Sequence, residues 1–175
     1  VKIFCLVRAT TSETPLERIM NSLIKFGLWR GQTEWYSRIE AIVGDLEVDL
    51  FGLREEQYFY FTTTIDRVIH CGAKVNLAYP YSALRNANVL STARIIHFAM
   101  DTKVKQLTYV STNAVFANDG RYCDDIHLTS VSGLETGYAQ SKYVAERLVR
   151  KAVEVGLPAV IVRPGNIGGS QEAAQ

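Results

Sequence analysis

The stretch QLTYVSTNAVF at residues 106–116 decides the fold class, because an apolar run with β-branched residues is followed directly by hydroxyl side chains. The run at 106–110 predicts a buried strand. Ser111 and Thr112 would then stand at the carboxyl end of that strand, the edge at which open parallel α/β sheets bind their ligands. Either hydroxyl could donate a hydrogen bond to a ligand carbonyl, and the same two residues are also typical of a capped turn.

Four more apolar runs, bounded by turn residues, predict strands at 2–7, 39–43, 67–70 and 159–162. Helical spacing of apolar residues lies between them and is clearest at 15–26, 81–100 and 138–155. At the first of these helices, Thr14, Pro15 and Glu17 have the spacing of a capping box with proline at the first helical position. Because strands that alternate with helices are typical of parallel βαβ units, the sequence predicts an α/β fold.

Tyr138 and Lys142 are the second informative pair, because residues four apart on a helix lie on one face. An ammonium group beside a phenol lowers the phenol pKa from its usual value of about 10, which makes the phenol a better proton donor near neutral pH. A tyrosine and a lysine at this spacing are also common on amphipathic surface helices. Together with the hydroxyls of Ser111 and Thr112, however, the pair favours a site that protonates a carbonyl oxygen while hydride is added to the carbon.

The composition excludes several classes of function. Lysine and arginine number 19 and aspartate and glutamate 18 in a chain of 175 residues, so the net charge of +1 gives no electrostatic reason to expect nucleic acid or an anionic membrane as a partner. No apolar run approaches the roughly 20 residues that cross a bilayer, and the first residues lack the features of a signal peptide, so a cytoplasmic location is expected. No metal is expected, because the cysteines and histidines show no ligand spacing: Cys5, Cys71, Cys123, His70, His97 and His127.

Six short features follow one another along the chain: GDL at 44–46, CGA at 71–73, NVLST at 88–92, VST at 110–112, the Tyr138 and Lys142 pair, and RPGNI at 163–167. In this order they resemble the extended short-chain dehydrogenase/reductase family over nearly the whole chain. LVRA at 6–9 and AYPYSALRNANV at 78–89 are similar to the terminal thioester reductase domains of nonribosomal peptide synthetases and of carboxylic acid and aminoadipate reductases. RPGNIG at 163–168 resembles the fungal members.

The resemblance implies a Rossmann-like, doubly wound parallel sheet and an NADPH-dependent oxidoreductase. Its substrate would be an acyl or peptidyl thioester on the phosphopantetheine arm of a carrier protein in the same parent chain, reduced to an aldehyde or further to an alcohol. Family spacing selects Thr112, three positions before Val115, as the catalytic hydroxyl. Thr112 and Tyr138 would stabilise and protonate the oxyanion, and Lys142 would hold the nicotinamide ribose and tune Tyr138.

The resemblance also implies which residues bind the cofactor. Arg8, with Arg18 assisting, would bind the adenosine 2′-phosphate, which favours NADP over NAD. Asn88 is expected to fix backbone rather than to touch substrate. The other residues expected at the cofactor are Asp45, Leu46, Gly72, Ala73, Ser111, Tyr138, Lys142, Pro164, Asn166 and Ile167.

One family feature is missing, because no GxxGxxG phosphate loop lies between the first strand and the first helix. The first predicted strand therefore corresponds to the family's second, and the absent strand would be the central one in a 3-2-1-4-5-6 order. Residues 1–175 are thus expected to form a partial NADP-binding thioester reductase domain without its first strand and most of its substrate-binding part. Such a fragment is expected to be inactive alone and to aggregate through unpaired strand edges.

Two alternatives stay open at this point. The same superfamily includes nucleotide-sugar epimerases and hydroxysteroid-type dehydrogenases, which a carrier-protein domain in the parent chain would exclude. The chain could also be a non-catalytic dinucleotide-binding remnant, although the joint presence of Thr112, Tyr138 and Lys142 argues against loss of the site.

Overall fold

The computed structural model of the chain describes residues 1–8, 14–29, 31, 34, 36–116, 131–165 and 167. Three residues that the sequence singles out, Cys123, His127 and Asn166, lie outside the described residues. The described chain forms two compact units, Val1–Leu53 and Arg54–Ile167, and each has its own parallel sheet.

The first unit contains a two-stranded sheet and one helix. Strand β1 (Ile3–Val7) pairs in parallel with β2 (Ile39–Val43). Helix α1 (Pro15–Lys25) lies between them in sequence and packs against β2. Two short 3₁₀ turns, Tyr36–Arg38 and Asp49–Gly52, precede and follow β2.

The start of α1 confirms the predicted capping box. The Thr14 hydroxyl accepts a hydrogen bond from the Glu17 amide at 3.3 Å, and the Glu17 carboxylate accepts one from the Thr14 amide at 2.8 Å. Pro15 occupies the first helical position, where its missing N–H leaves no hydrogen bond unmade. The first turn of α1 is therefore set by neighbours in the sequence.

The second unit contains a three-stranded parallel sheet in the order β3-β4-β5, flanked by helices. In chain order its elements are α2 (Glu55–Thr64), β3 (Arg67–His70), α3 (Tyr81–Leu84), a π-helical turn (Arg85–Leu90), α4 (Ser91–Met100), β4 (Gln106–Val110), a 3₁₀ turn (Asn113–Val115), α5 (Gly137–Glu154) and β5 (Ala159–Val162). Helices α3 and α4 pack against α5, and the core includes Leu107 and Tyr109 of β4 with Ala145 and Val149 of α5.

The predicted elements are largely confirmed. All five strands form where the sequence predicts them, with β1 shorter by one residue, and α1 and α5 differ from their predicted ranges by one residue at one or both ends. The helix predicted at 81–100 forms over that length but changes to a π-helical turn in its middle, and α2 was not predicted. The described strands form two sheets, in the orders β1-β2 and β3-β4-β5.

No helix in the described part of the chain combines the length and the apolar character needed to cross a membrane.

Candidate active site

The carboxyl end of β4 carries the two hydroxyls that the sequence singles out, and the structure separates their roles. Ser111 continues the line of the strand, since its amide donates to the Val162 carbonyl at 2.7 Å. Its buried hydroxyl donates to the Glu146 carboxylate at 2.7 Å. The Ser111 hydroxyl is therefore engaged inside the protein, which argues against the cofactor contact predicted for that side chain.

Thr112 both caps a turn and contacts Tyr138. Its Oγ1 accepts a hydrogen bond from the Ala114 amide at 3.2 Å and lies 3.4 Å from Oδ1 of Asn113. The same side chain lies close enough to the Tyr138 hydroxyl to lower the pKa of that phenol. Both interpretations of Thr112, as a turn cap and as a hydroxyl within a site, are thus present in the structure.

The way in which α5 begins brings Tyr138 to Thr112. Thr136 caps the helix by accepting a hydrogen bond from the Ala139 amide at 3.1 Å. Gly137, the first residue of α5, lies so close to the backbone of residues 79–81 that a Cβ atom there would overlap it. Tyr138 follows in the first turn and is half-buried. Backbone packing therefore fixes the position from which the phenol extends.

Lys142 lies one turn further along α5 and is buried. Its ammonium group donates to the Val110 carbonyl at 2.7 Å and lies 4.4 Å from the centre of the Tyr109 ring. Burial lowers the pKa of Lys142 to about 8, and the Glu146 carboxylate opposes that shift. Lys142 is therefore mostly a cation at neutral pH and loses its proton in mildly alkaline solution.

The pKa of Tyr138 differs from the prediction. Burial raises it, and the neighbouring Thr112 hydroxyl offsets only part of this rise. The Lys142 ammonium, which is bonded to the Val110 carbonyl, is not among the groups that shift the Tyr138 pKa. The expectation that Lys142 lowers this pKa is therefore wrong for this structure, in which Tyr138 is a neutral phenol able to donate its proton.

A buried carboxylate lies behind this set, and the sequence did not single it out. Glu146, one turn beyond Lys142, accepts hydrogen bonds from Ser111 at 2.7 Å, from Arg150 at 3.0 Å and from Nε of Arg163 at 3.0 Å. A second nitrogen of Arg163 also donates to it. Burial raises the pKa of Glu146, but the hydrogen bonds from Arg163, Ser111 and Arg150 lower it overall. The sequence signal that could have identified this residue is that a glutamate occupies a core position of α5.

The π-helical turn places Asn88 in the core of the second unit. Its side chain accepts a hydrogen bond from the Lys74 amide at 2.7 Å and donates to the Lys74 carbonyl at 3.1 Å and to the Ser141 hydroxyl at 2.9 Å. The prediction that Asn88 fixes backbone is confirmed, and the residue ties the segment after β3 to α5. Turns of this kind are frequent at functional sites.

His70 at the end of β3 is a buried core residue. Its Nε2 lies 3.0 Å from the Thr92 hydroxyl, and its ring packs on Tyr109. Burial lowers the pKa of His70 to about 4, so the imidazole is neutral at physiological pH. Within the described ranges, no three histidine, cysteine, aspartate or glutamate side chains are grouped so that they could hold a metal ion.

In the first unit, the residues predicted to bind the cofactor follow the two strands. Arg8 comes directly after β1 and is exposed, while the Arg18 guanidinium donates to the Arg8 carbonyl at 2.7 Å. Asp45 and Leu46 follow β2, and the Asp45 carboxylate accepts the Glu47 amide at 2.8 Å in a local turn. Arg8 thus presents its guanidinium to solvent, whereas Arg18 is engaged with backbone.

In the second unit, the remaining candidates follow β3 and β5. Gly72 is half-buried and Ala73 is exposed after β3. Pro164 is half-buried after β5, and its carbonyl accepts the Asn113 amide at 3.4 Å, while Ile167 is exposed. The carboxyl ends of three neighbouring parallel strands therefore all carry candidate residues.

A cleft of about 190 Å³ lies next to this set in the second unit. Its lining comes from the turn at 113–116, which follows Thr112, and from residues 133–139, which include the start of α5. Both apolar and polar residues line it, among them Phe116, Leu134 and Glu135. The cleft is smaller than a typical pocket for a small-molecule ligand.

Two described sheets of parallel strands, with α5 carrying Tyr138 and Lys142 beside the carboxyl end of β4, are typical of a Rossmann-like, dinucleotide-binding fold. The chain belongs to the NAD-binding family described as male sterility protein, whose model matches residues 1–175.

The relatives of the chain are reductases and peptide synthetases. It is 36% identical to the L-2-aminoadipate reductase large subunit of Candida glabrata, over 97% of this chain and 13% of that protein. It is 37% identical to the nonribosomal peptide synthetase asaC of Aspergillus flavus, over 94% of this chain and 17% of that protein. A solved structure, the terminal R domain from the myxalamid PKS-NRPS biosynthetic pathway, has a TM-score of 0.87 and 42% identity over 94% of this chain and 42% of that chain.

These comparisons confirm the resemblance to the terminal reductase domains. The chain spans 13–17% of the length of the two curated relatives and less than half of the solved domain.

Proposed function

We propose that the protein containing this chain uses NADPH to reduce an acyl or peptidyl thioester, held on the phosphopantetheine arm of a carrier protein, to an aldehyde. The observation that carries this proposal is the proximity of Thr112 and Tyr138 at the end of β4, with Lys142 one turn further along α5. The relatives support it by name, since one is an aminoadipate reductase and another a nonribosomal peptide synthetase.

The proposed reaction converts thioester, NADPH and one proton into aldehyde, thiol and NADP⁺. When bound, NADPH supplies the hydride for the carbonyl carbon. The carbonyl oxygen gains negative charge as the hydride arrives, so donors fixed around that oxygen lower the barrier. The carbon–sulfur bond then breaks, and the sulfur leaves as a thiolate that takes a proton from solvent.

Tyr138 is the proton donor in this scheme. Its raised pKa keeps the phenol protonated at neutral pH, so it has a proton to give to the developing oxyanion. The Thr112 hydroxyl, which lies next to that phenol, is a second donor for the same oxygen. When the carbonyl re-forms, the proton returns from the oxygen to Tyr138.

In each unit, one described side chain has the chemistry to bind part of a nicotinamide dinucleotide phosphate. The Lys142 ammonium carries donors beyond the one used by the Val110 carbonyl, and these suit ribose hydroxyls. The exposed guanidinium of Arg8 suits a 2′-phosphate, which is why we favour NADPH over NADH. The cleft formed by residues 113–116 and 133–139 would take the acyl chain.

The proposed partner is a phosphopantetheinylated carrier domain in the same parent chain, by analogy with the nonribosomal peptide synthetases among the relatives.

In a direct test, the absorbance of NADPH is recorded over time with the complete protein and a synthetic acyl-pantetheine thioester. We expect thioester-dependent oxidation, release of aldehyde and free thiol in equal amounts, and slower turnover with NADH. Tight NADPH binding with turnover of a nucleotide sugar or a hydroxysteroid, but not of the thioester, would assign the protein to the alternative enzymes. No cofactor binding at all would identify a non-catalytic protein.

A further inference from the structure

Glu146 occupies a position that packing alone does not explain. It is 0% exposed, and glutamate is almost never fully buried unless it is paired. An apolar side chain of similar volume is often no less stable in such a place. The carboxylate is therefore expected to have a task that an apolar residue could not perform.

The hydrogen bonds of Glu146 join the ends of two strands to α5. Ser111, which donates at 2.7 Å, directly precedes Thr112 at the end of β4. Arg163, which donates from Nε at 3.0 Å and from a second nitrogen, directly follows β5. Arg150 donates from the next turn of α5 at 3.0 Å. These contacts fix both strand ends relative to the helix that carries Tyr138.

Glu146 also acts on Lys142 through its charge. Burial disfavours the ammonium form of Lys142, and the Glu146 carboxylate is the strongest group that favours it. From the other elements, Lys142 is faced by His70 and Cys71 at the end of β3 and by Tyr109 of β4. Because His70 is neutral, it does not compete with this attraction at physiological pH.

We propose that Glu146 is a positioning residue of the site, whose carboxylate holds the ends of β4 and β5 against α5 and so keeps the Lys142 ammonium at the Val110 carbonyl. The expected effect of Glu146 on turnover rests on the proposed thioester reduction. Its expected effects on Lys142 and on the strand ends are independent of that proposed function.

The test compares Glu146→Gln with Glu154→Gln in the complete protein. Both changes remove one carboxylate from α5, but Glu154 is exposed and paired with Lys151 at 2.7 Å. Competitive labelling with acetic anhydride across a pH series, read by peptide mass spectrometry, measures the pH at which Lys142 becomes reactive. We expect this midpoint to move to lower pH in Glu146→Gln and to stay unchanged in Glu154→Gln.

A kinetic comparison separates positioning from general damage. In Glu146→Gln we expect kcat for the thioester to fall roughly tenfold or more, with KM within about twofold of the wild type, because the reacting groups are misplaced while binding persists. Unchanged labelling of Lys142 together with unchanged kcat would overturn the proposal. If the wild-type protein does not reduce thioesters, the proposed function fails, and the labelling alone still decides the role of Glu146.

Ser111→Ala keeps the test decisive if Glu146→Gln does not fold. This change removes one hydrogen bond to the carboxylate and leaves the buried charge paired with Arg163. We expect amide hydrogen exchange to become several-fold faster in residues 111–116 and to stay unchanged in Ser82→Ala, an exposed serine of α3. If residues 111–116 of Ser111→Ala exchange their amide hydrogens at the wild-type rate, the proposed positioning role is overturned.

Discussion

At the scale of single residues, the Thr112 hydroxyl has one proton and several neighbours. Its oxygen accepts the Ala114 amide, Oδ1 of Asn113 lies 3.4 Å away, and the side chain lies close enough to Tyr138 to lower the pKa of that phenol. A hydroxyl has two acceptor lone pairs and one donor, so the O–H group can point to Asn113, to Tyr138 or to a substrate oxygen, but to only one of them at a time. In the proposed reaction, Thr112 therefore turns its proton to the substrate oxygen.

Replacing this hydroxyl should reduce catalysis without removing the strand. We expect Thr112→Val to lower kcat for the thioester by about 10²- to 10³-fold, the usual cost of one lost oxyanion donor. Thr112→Ser, which keeps the hydroxyl, should stay within about tenfold of the wild type. Thr108→Val on β4 is the matched control, and steady-state kinetics with the complete protein makes the comparison. Equal activity of Thr112→Val and Thr108→Val would contradict the role of Thr112.

The titration of Lys142 predicts an alkaline limit to activity. Its pKa of about 8 means that the ammonium, which the proposed mechanism needs for the ribose, is lost as pH rises through that value. The ratio kcat/KM reports ionisations of the free enzyme, so it should fall above about pH 8 and be flat just below it. A profile that stays level up to about pH 10, near the usual pKa of lysine, would contradict this assignment.

At the scale of elements, local patterns predicted most of the fold. The strands were found because apolar runs end at turn residues, and α1 because its cap lies within a few residues. Helix α2 was missed because EEQYFYFTTT is rich in aromatic and β-branched residues, which favour strands, and has no apolar stripe. The π-helical turn was missed because apolar spacing does not report a local change of hydrogen-bond register.

The candidate site could be predicted only in part. Thr112, Tyr138 and Lys142 were found from short motifs, and the structure brings them to one strand end. The fixed pairing of Ser111, Glu146 and Arg163 depends on three segments that meet only in the folded chain. Side-chain burial, which raises the Tyr138 pKa, could not be judged from a helix pattern alone.

Gly137 is the point at which element packing controls the site. In an ordinary helix, alanine is about 1 kcal/mol better than glycine. At this position a Cβ atom would overlap the backbone of residues 79–81, so we expect Gly137→Ala to destabilise α5 by about 1–3 kcal/mol and to lower kcat by displacing Tyr138. Hydrogen exchange of the α5 amides measures the first effect.

Gly165→Ala is the control for this substitution, because nothing lies within 4 Å of the added atom. It should leave the exchange of α5 unchanged. Helix propensity alone predicts the opposite result, namely slower hydrogen exchange of the α5 amides in Gly137→Ala. Slower exchange in this variant would therefore contradict the packing account.

At the scale of the whole molecule, both sheets leave apolar strand residues exposed. Parallel sheets are normally covered on both faces. The exposed strand residues are Ile3, Leu6 and Val43 in the first unit and Ile69, Val160 and Val162 in the second. Two-stranded sheets are also marginally stable by themselves. Further protein is therefore expected to cover these strands.

This exposure predicts how residues 1–175 behave alone. We expect the isolated segment to elute as aggregates in size-exclusion chromatography and to show no thioester-dependent NADPH oxidation, while the complete protein is active. A monomeric segment with the specific activity of the complete protein would show that the described units are sufficient.

The measurement that tests the central claim most directly compares Tyr138→Phe with Tyr60→Phe in the complete protein. Tyr60 is an exposed tyrosine of α2, so both variants lose one phenol hydroxyl and the control loses it far from any proposed role. Thioester-dependent NADPH oxidation should fall by about 10²- to 10⁴-fold in Tyr138→Phe, the usual contribution of a positioned proton donor, with NADPH affinity unchanged. Oxidation in Tyr138→Phe at the rate of Tyr60→Phe would contradict the assignment of Tyr138 and the reaction built on it.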